Sequence, residues 1–335
     1  MKSKKIKKHH IGRLIIKSIL TLLLSFFITL IYLGRQFLID QINVINFKPA
    51  QGVVELVDRS GMNSYGKFLY LASSPTLKDS AEFNNNCNRI ESTTSILGCY
   101  SNDKIYIYNI ADPQLDGIRE VTATHETLHS IYVRLSYFEK MKVNKLLDDE
   151  YKKLADNKAF QEKMAFYDRN ESNQRSNELH SIIATEISSI SPELEAYYSK
   201  YFDNRQKVVQ LNDKYISVFK SIETKALALK SEIDSLLALI TDRSSKYGEA
   251  LATLNNDINL FNNKAENNQF SSQSQFNKER TLLLDRINTV NIEMEYINQQ
   301  IVRYNSILDE YNSLATKSQS LYDVLDSTLA APSSI

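Results

Sequence analysis

The stretch Val121-Thr122-Ala123-Thr124-His125-Glu126-Thr127-Leu128-His129-Ser130-Ile131-Tyr132-Val133-Arg134-Leu135 decides how this chain is read. Val121, Leu128, Ile131, Tyr132 and Leu135 recur at helical spacing, and Thr122 or Thr124 is placed to open the helix. On such a helix His125 and His129 stand four residues apart on one face, so both imidazoles can reach a single metal ion. Glu126 follows the first histidine directly and projects beside it. The 335 residues include only five histidines, so this spacing around a glutamate is seldom an accident of composition. The competing reading is an amphipathic helix with polar surface histidines.

Downstream, Arg175-Ser176-Asn177-Glu178-Leu179-His180-Ser181-Ile182-Ile183-Ala184-Thr185-Glu186-Ile187-Ser188-Ser189-Ile190 reads as a second helix. Helical rotation places Glu186 among Leu179, Ile182, Ile183, Ile187 and Ile190, where a carboxylate is costly unless paired or bound to metal. Glu178, at the helix start, suits the positive end of the helix dipole. Upstream, KFLYLASSP (67–75) and KIYIYNI (104–110) are rich in β-branched and aromatic residues, bounded by turn formers, and predict strands.

His-Glu-Thr-Leu-His on a helix, preceded by a strand and followed by an acidic helix, resembles the gluzincin branch of the zincin metallopeptidases, over roughly residues 65 to 200. The Asn177-Glu178 pair before an apolar helix also resembles the ligand helix of lethal-factor-like peptidases. The resemblance implies one Zn2+ per chain, held by His125, His129 and Glu178, which lies 49 positions after His129. Glu186 and His180 remain rival third ligands, although metzincins place their third histidine closer and after a glycine absent here. With Glu178 as ligand, Glu186 is expected to accept the free imidazole N–H of a ligand histidine. Glu126 is the implied general base of peptide-bond hydrolysis. His180, Tyr167 and Tyr132 are candidate oxyanion donors by their nearness in sequence to the two helices. KIYIYNI is either the sheet edge that pairs with an extended substrate or an interior strand.

The amino terminus carries Lys2, Lys4, Lys5, Lys7, Lys8, Arg13 and Lys17 without an acid, beside the apolar run SILTLLLSFFITLIYLG (18–34). Taken with Leu14 to Ile16, the run approaches the ~20 residues that span a bilayer. The expectation is a basic cytoplasmic tail at 1–13, an uncleaved single-pass transmembrane helix at 14–35, and the remainder extracytoplasmic. Beside an apolar span, the basic cluster is explained by topology, and nucleic acid is not expected as a partner. Cys87 and Cys99 then fall in an oxidising compartment, where a disulfide adds on the order of 3 kcal/mol.

The chain is 42% hydrophobic and 24% charged, with eight glycines and five prolines, an ordinary globular balance suited to long helices. Little glycine and abundant Asn, Lys and Ile hint at an AT-rich bacterial genome. Ser191-Pro192-Glu193 marks the start of the carboxy-terminal arm. Beyond residue 200, apolar positions from Leu211 to Phe261 and from Leu283 to Ala315 alternate in steps of three and four, with Lys225 and Arg243 interrupting the first seam.

The expected fold is α+β. A small zincin-like domain (36–200), with a few-stranded sheet, a metal helix and a ligand helix, precedes an antiparallel coiled-coil hairpin (201–328) with its tip near 262–275 and a tail at 329–335. The functional expectation is a membrane-anchored zinc peptidase acting on peptides or proteins, its coiled coil recruiting a protein partner or self-associating. The alternative is a surface coiled-coil scaffold with an inactive zincin-like domain.

Overall fold

The computed structural model describes residues 3–87, 96–170 and 172–329; the side chains of residues 3–16, 27–33, 170 and 172 lie outside the description. The architecture is α+β, mostly helical, with one three-stranded sheet. The chain divides into two compact units, Met1–Ile216 with Val324–Ile335, and Ser217–Asp323.

In the first unit, α1 (Ser3–Asn46), α2 (Gln51–Arg59) and α3 (Ser64–Ala72) precede β1 (Thr76–Lys78), α4 (Ser80–Asn86), β2 (Gly98–Ser101) and β3 (Lys104–Tyr108). The segment expected as a strand at 67–75 is therefore largely helix. Asn63 caps α3 by accepting from the backbone N–H groups of Tyr65 and Gly66, and Leu69, Tyr70 and Ala72 turn into the core. The cap and the one-sided apolar stripe outweigh the β-propensity of isolated aromatic residues.

KIYIYNI does contain a strand, β3, but it is central: β1 pairs with it in parallel and β2 antiparallel, in the order β1-β3-β2. Ile105 and Ile107 are fully buried. The substrate-edge reading of this segment is overturned, and β1 and β2 are the strands with an open side. Asn102 and Asp103, both at positive φ, make the two-residue turn that joins β2 to β3.

The metal-motif helix is α5 (Ile118–Arg134), which packs on α2, α3, β2 and β3. It starts earlier than expected, after Gly117 at φ 105°, where a Cβ would lie 2.7 Å from the Leu211 carbonyl oxygen. Thr122 and Thr124 sit inside the helix and donate to the carbonyls of Ile118 and Glu120 at 2.8 Å. After α6 (Tyr137–Lys153) and α7 (Lys158–Asn170), α8 (Arg175–Glu186) packs along α5. Leu128 and Ile131 of α5 and Leu179, Ile182 and Ile183 of α8 belong to one buried cluster. Ser191-Pro192 opens only a short helix, α9 (Pro192–Tyr198), rather than the long arm.

The second unit lies within α10 (Gln206–Glu266) and α11 (Gln273–Leu325). Lys225 pairs with Glu310, Arg243 with Glu293 and Lys264 with Glu279, so partner numbers fall on α11 as they rise on α10 and the helices run antiparallel. Ile222, Leu229, Leu236, Leu254 and Ile297 form part of its buried seam. The Arg243 that interrupts the seam in sequence lies over the Tyr296 ring at 4.2 Å. Phe261, Phe270 and Phe276 cluster at the expected tip.

Among the described residues no helix is long and apolar enough to cross a membrane. This overturns the transmembrane helix at 14–35 and the single-pass, extracytoplasmic placement built on it. The described apolar run covers residues 18–26, about 14 Å of helix against a hydrocarbon core of ~30 Å. The described stretch that resumes at Gly34 carries Arg35 and Asp40. The side chains of residues 14–16 and 27–33, those of the basic tail, and the end of the chain from residue 330 lie outside the description.

The far end of α8 is fixed by Arg205, buried to 4% exposure. Its guanidinium donates to the carbonyls of Ala184 (3.0 Å), Ile187 (2.6 Å) and Ser188 (3.1 Å) and pairs with Glu195. These are carbonyls that a helix end leaves without intrahelical donors. Arg205→Met is expected to lower unfolding free energy by about 2–4 kcal/mol in urea titration, with Arg205→Lys recovering less than half, because a lysine lacks the planar fork. A loss below about 1 kcal/mol would contradict this role.

Candidate metal centre

His125 and His129 occupy successive turns of α5 and face the first turn of α8, where Glu178 projects toward both. Glu178 Oε2 lies 3.6 Å from His125 Nε2 and Glu178 Oε1 lies 3.5 Å from His129 Nε2. The ligand-type atoms of the three residues all lie within 4.8 Å of one another. Tetrahedral coordination at zinc bond lengths separates neighbouring ligand atoms by about 3.4 Å, so the pocket nearly has the required dimensions. His129 Nδ1 and Glu178 Oε2 are buried without a hydrogen-bond partner among the described residues. An orphaned carboxylate oxygen facing two imidazoles suits a cation.

The electrostatics follow from burial and mutual proximity. Burial opposes ionisation of Glu178, but the facing His129, His125 and the Tyr167 hydroxyl outweigh it and hold its carboxyl below the usual range. Burial likewise opposes protonation of His125. The adjacent Glu178 carboxylate and the charge of Glu126 reverse that and raise its pKa. For Glu126 burial wins over the opposing pull of His129 and His125, and its carboxyl is pushed up.

Glu126 points away from Glu178 toward the sheet. The backbone N–H of Tyr100 in β2 faces its carboxylate and weakly favours the charged form. This follows from the strand's register: Tyr108 N–H donates to the Leu97 carbonyl, so the alternation of an antiparallel pair turns Leu97 and Cys99 toward β3, and Gly98 and Tyr100 toward the open side. Gly98 is where strand and helix meet. A Cβ there would lie 2.5 Å from Thr122 Cγ2 and 2.8 Å from both Glu126 Cγ and Glu126 Oε1. The Cys87–Cys99 disulfide is present, with a Cα–Cα distance of 5.8 Å, and ties this strand to the end of α4.

The remaining sequence candidates divide clearly. Tyr167 lines the same cavity of about 430 Å³ as His125, Glu126, His129 and Glu178. Glu186 is not with them. Its carboxylate pairs with Lys163 Nζ at 2.6 Å, which accounts for a charge on an otherwise apolar face, and it stands outside the cluster of His125, His129 and Glu178. His180 is fully buried on another side of α8, its Nε2 2.9 Å from the Tyr197 hydroxyl and its ring against Tyr132 and Tyr198. Burial lowers its pKa to about 3, and it stands outside the cluster of His125, His129 and Glu178. Tyr132 donates to Asn144 Oδ1 at 2.9 Å, away from the cavity.

Sequence reasoning missed Ser181, whose hydroxyl lies 3.2 Å from His125 Nε2 and bonds the Glu178 carbonyl at 3.0 Å. Its position three residues after Glu178, on the same helix face, was the available signal. Gly98 and Tyr100 were missed because only strand register reveals them.

No protein-family model matches the chain, and comparison with curated proteins and with solved structures finds no significant match.

The contact at Gly98 generates a test. Gly98→Ala is expected to cost about 1–3 kcal/mol in unfolding free energy through overpacking. Adding Thr122→Ser, which removes the Cγ2 methyl, should recover part of that loss in the same denaturation assay. Equal stability of Gly98→Ala and the unmodified chain would show that the strand does not press on α5.

Proposed function

We propose that this chain is a zinc-dependent peptidase, with His125, His129 and Glu178 as metal ligands and Glu126 as general base. The observation that carries the reading is the convergence of two imidazoles and one buried carboxylate at near-tetrahedral spacing, beside a second carboxylate held by a separate element. Two nitrogen donors and one oxygen donor favour zinc over calcium or magnesium, which take oxygen ligands. Three protein ligands leave a coordination position free, the arrangement of catalytic rather than structural zinc sites.

When bound, such a cation supplies Lewis-acid polarisation of a carbonyl and acidifies water. The chain's own residues do the rest. Glu126 accepts a proton from the attacking water and hands it to the leaving amine nitrogen, one carboxylate serving both transfers. The Tyr100 N–H faces that carboxylate, and the close approach at Gly98 brings the strand against it. Gly98 also presents backbone groups on the open side of β2, where an extended substrate chain can pair. Tyr167, at the cavity wall, is the tyrosine placed to donate to a developing oxyanion.

The purified chain is expected to hold about one zinc per molecule by elemental analysis. Glu126→Gln should retain that zinc while peptide cleavage falls by about 10²–10⁴-fold. Glu178→Ala should lose it, whereas Glu186→Ala and His180→Ala should keep it. Absence of stoichiometric zinc after zinc-supplemented purification would sink the proposal, and zinc loss confined to Glu186→Ala would overturn the ligand assignment.

A further inference from the structure

The three-stranded sheet has a second face, turned away from α5. Ile105 and Ile107 of β3 are buried in the cluster that also holds Val121 and Leu128 of α5, so the alternate residues Lys104 and Tyr106 point to the opposite side. Thr76 of β1 stands in register with Tyr106, and Lys78, two residues on, shares its face. A cavity of about 500 Å³ lies over these four side chains, walled by Asn43, Asn46 and Phe47 at the end of α1 and by Asn86 at the end of α4. It has no lining residue in common with the cavity of His125, Glu126 and Glu178.

We propose that this cavity binds an anionic saccharide: a sugar, or one sugar unit of a polymer, that carries a carboxylate or a phosphate group. The proposal is independent of the peptidase reading.

Charge sets the sign of the ligand. Lys78 and Lys104 line the cavity, and among the described residues no carboxylate does. Lys104 is exposed and enters no ion pair among the described residues. Lys78 pairs with Glu82 at 2.8 Å, but the Glu82 side chain is 59% exposed. A solvent-facing pair of this kind contributes little, so an anion with several contacts displaces Glu82 at small cost.

Polarity sets the class. Asn43 and Asn86 each donate one amide N–H to a backbone carbonyl, that of Ala72 at 3.1 Å and that of Glu82 at 2.7 Å. These bonds orient the amides, and each retains a second N–H and an acceptor oxygen, the complement of hydroxyls that both donate and accept. The Thr76 hydroxyl oxygen is buried without a hydrogen-bond partner among the described residues. Such a group is costly until something bonds it, and rotation about χ1 turns it toward the cavity. Phe47 and Tyr106 add ring surface for the C–H face of a pyranose. A bare inorganic anion uses only the ammonium groups, and an apolar ligand leaves three amides without partners. The volume lies within the ~300–1,000 Å³ of pockets that recognise small molecules.

The experiment titrates the full chain with glucose 6-phosphate, glucuronate, glucose and inorganic phosphate by isothermal calorimetry at low salt, with EDTA present so that no metal-bound phosphate contributes. At least one of the two anionic sugars is expected to bind with a Kd of about 1 mM or tighter, and glucose and inorganic phosphate at least about tenfold more weakly. Tighter binding of glucose 6-phosphate assigns phosphorylated sugars, tighter binding of glucuronate assigns acidic sugars, and equal binding assigns both. Lys104→Gln should weaken the better ligand at least about fivefold. Thr76→Val should weaken it by a similar factor, while its melting temperature without ligand equals or exceeds that of the unmodified chain, because the orphaned hydroxyl is gone. Lys104→Gln, at an exposed position, carries the test whatever Thr76→Val does to folding. Glucose or inorganic phosphate binding as tightly as the better anionic sugar overturns the proposal. So does an affinity insensitive to Lys104→Gln, or no binding of either anionic sugar at about 10 mM.

Discussion

The Glu178 carboxylate faces two imidazoles at 3.5 and 3.6 Å inside the first unit, and this arrangement exists only while α8 stays seated on α5. Burying a carboxylate without compensation costs several kcal/mol, so the site opposes the packing that creates it. Apolar contacts meet that cost. Leu179, Ile182 and Ile183 of α8 and Leu128 and Ile131 of α5 are almost wholly buried, and each such side chain contributes about 1.5–3 kcal/mol. At the opposite end Arg205 collects the terminal carbonyls of α8 and fixes where the helix stops. The candidate metal site is therefore at one end of α8 and its anchor at the other, with an apolar stripe between.

Glu126 is located differently. It faces a backbone N–H, whose position depends on the register of β2 rather than on a rotamer. Three features hold that register: the positive-φ turn at Asn102 and Asp103, the disulfide at Cys99, and the absence of a side chain at Gly98. A backbone N–H, unlike a side-chain donor, loses no side-chain entropy when it meets a carboxylate.

What could be read in the sequence divides along the same line. His125, Glu126 and His129 were legible because three residues on one helix are related by helical geometry alone. Glu178 came from a resemblance, while helical periodicity by itself favoured Glu186, since a carboxylate among isoleucines looks like a ligand. Only the fold supplies Lys163 from α7 and turns that charge into an ion pair. Both the misread helix at 67–75 and the central place of β3 are tertiary outcomes. A cap at Asn63 and pairing with β1 and β2 decide them, and neither leaves a mark in local composition. The hairpin was the easiest element, because its seam repeats over many turns and its ion pairs only confirm the direction.

Asp40 shows how far support for the site extends. This α1 residue is 3% exposed, and its carboxylate accepts from Arg134 Nε at 3.1 Å and from a terminal guanidinium nitrogen at 2.8 Å. Arg134 closes the carboxy-terminal end of α5, where it also donates to the Ser130 carbonyl at 2.9 Å and to the Tyr100 hydroxyl at 3.3 Å. One guanidinium thus joins α1, α5 and β2. Removing one member of a buried pair of this kind costs about 3–5 kcal/mol, because the other charge is left without a partner. Asn43 adds a second tie, donating to the Ala72 carbonyl at the end of α3. The last turns of α1 therefore belong to the fold that holds His125, His129 and Glu178 together.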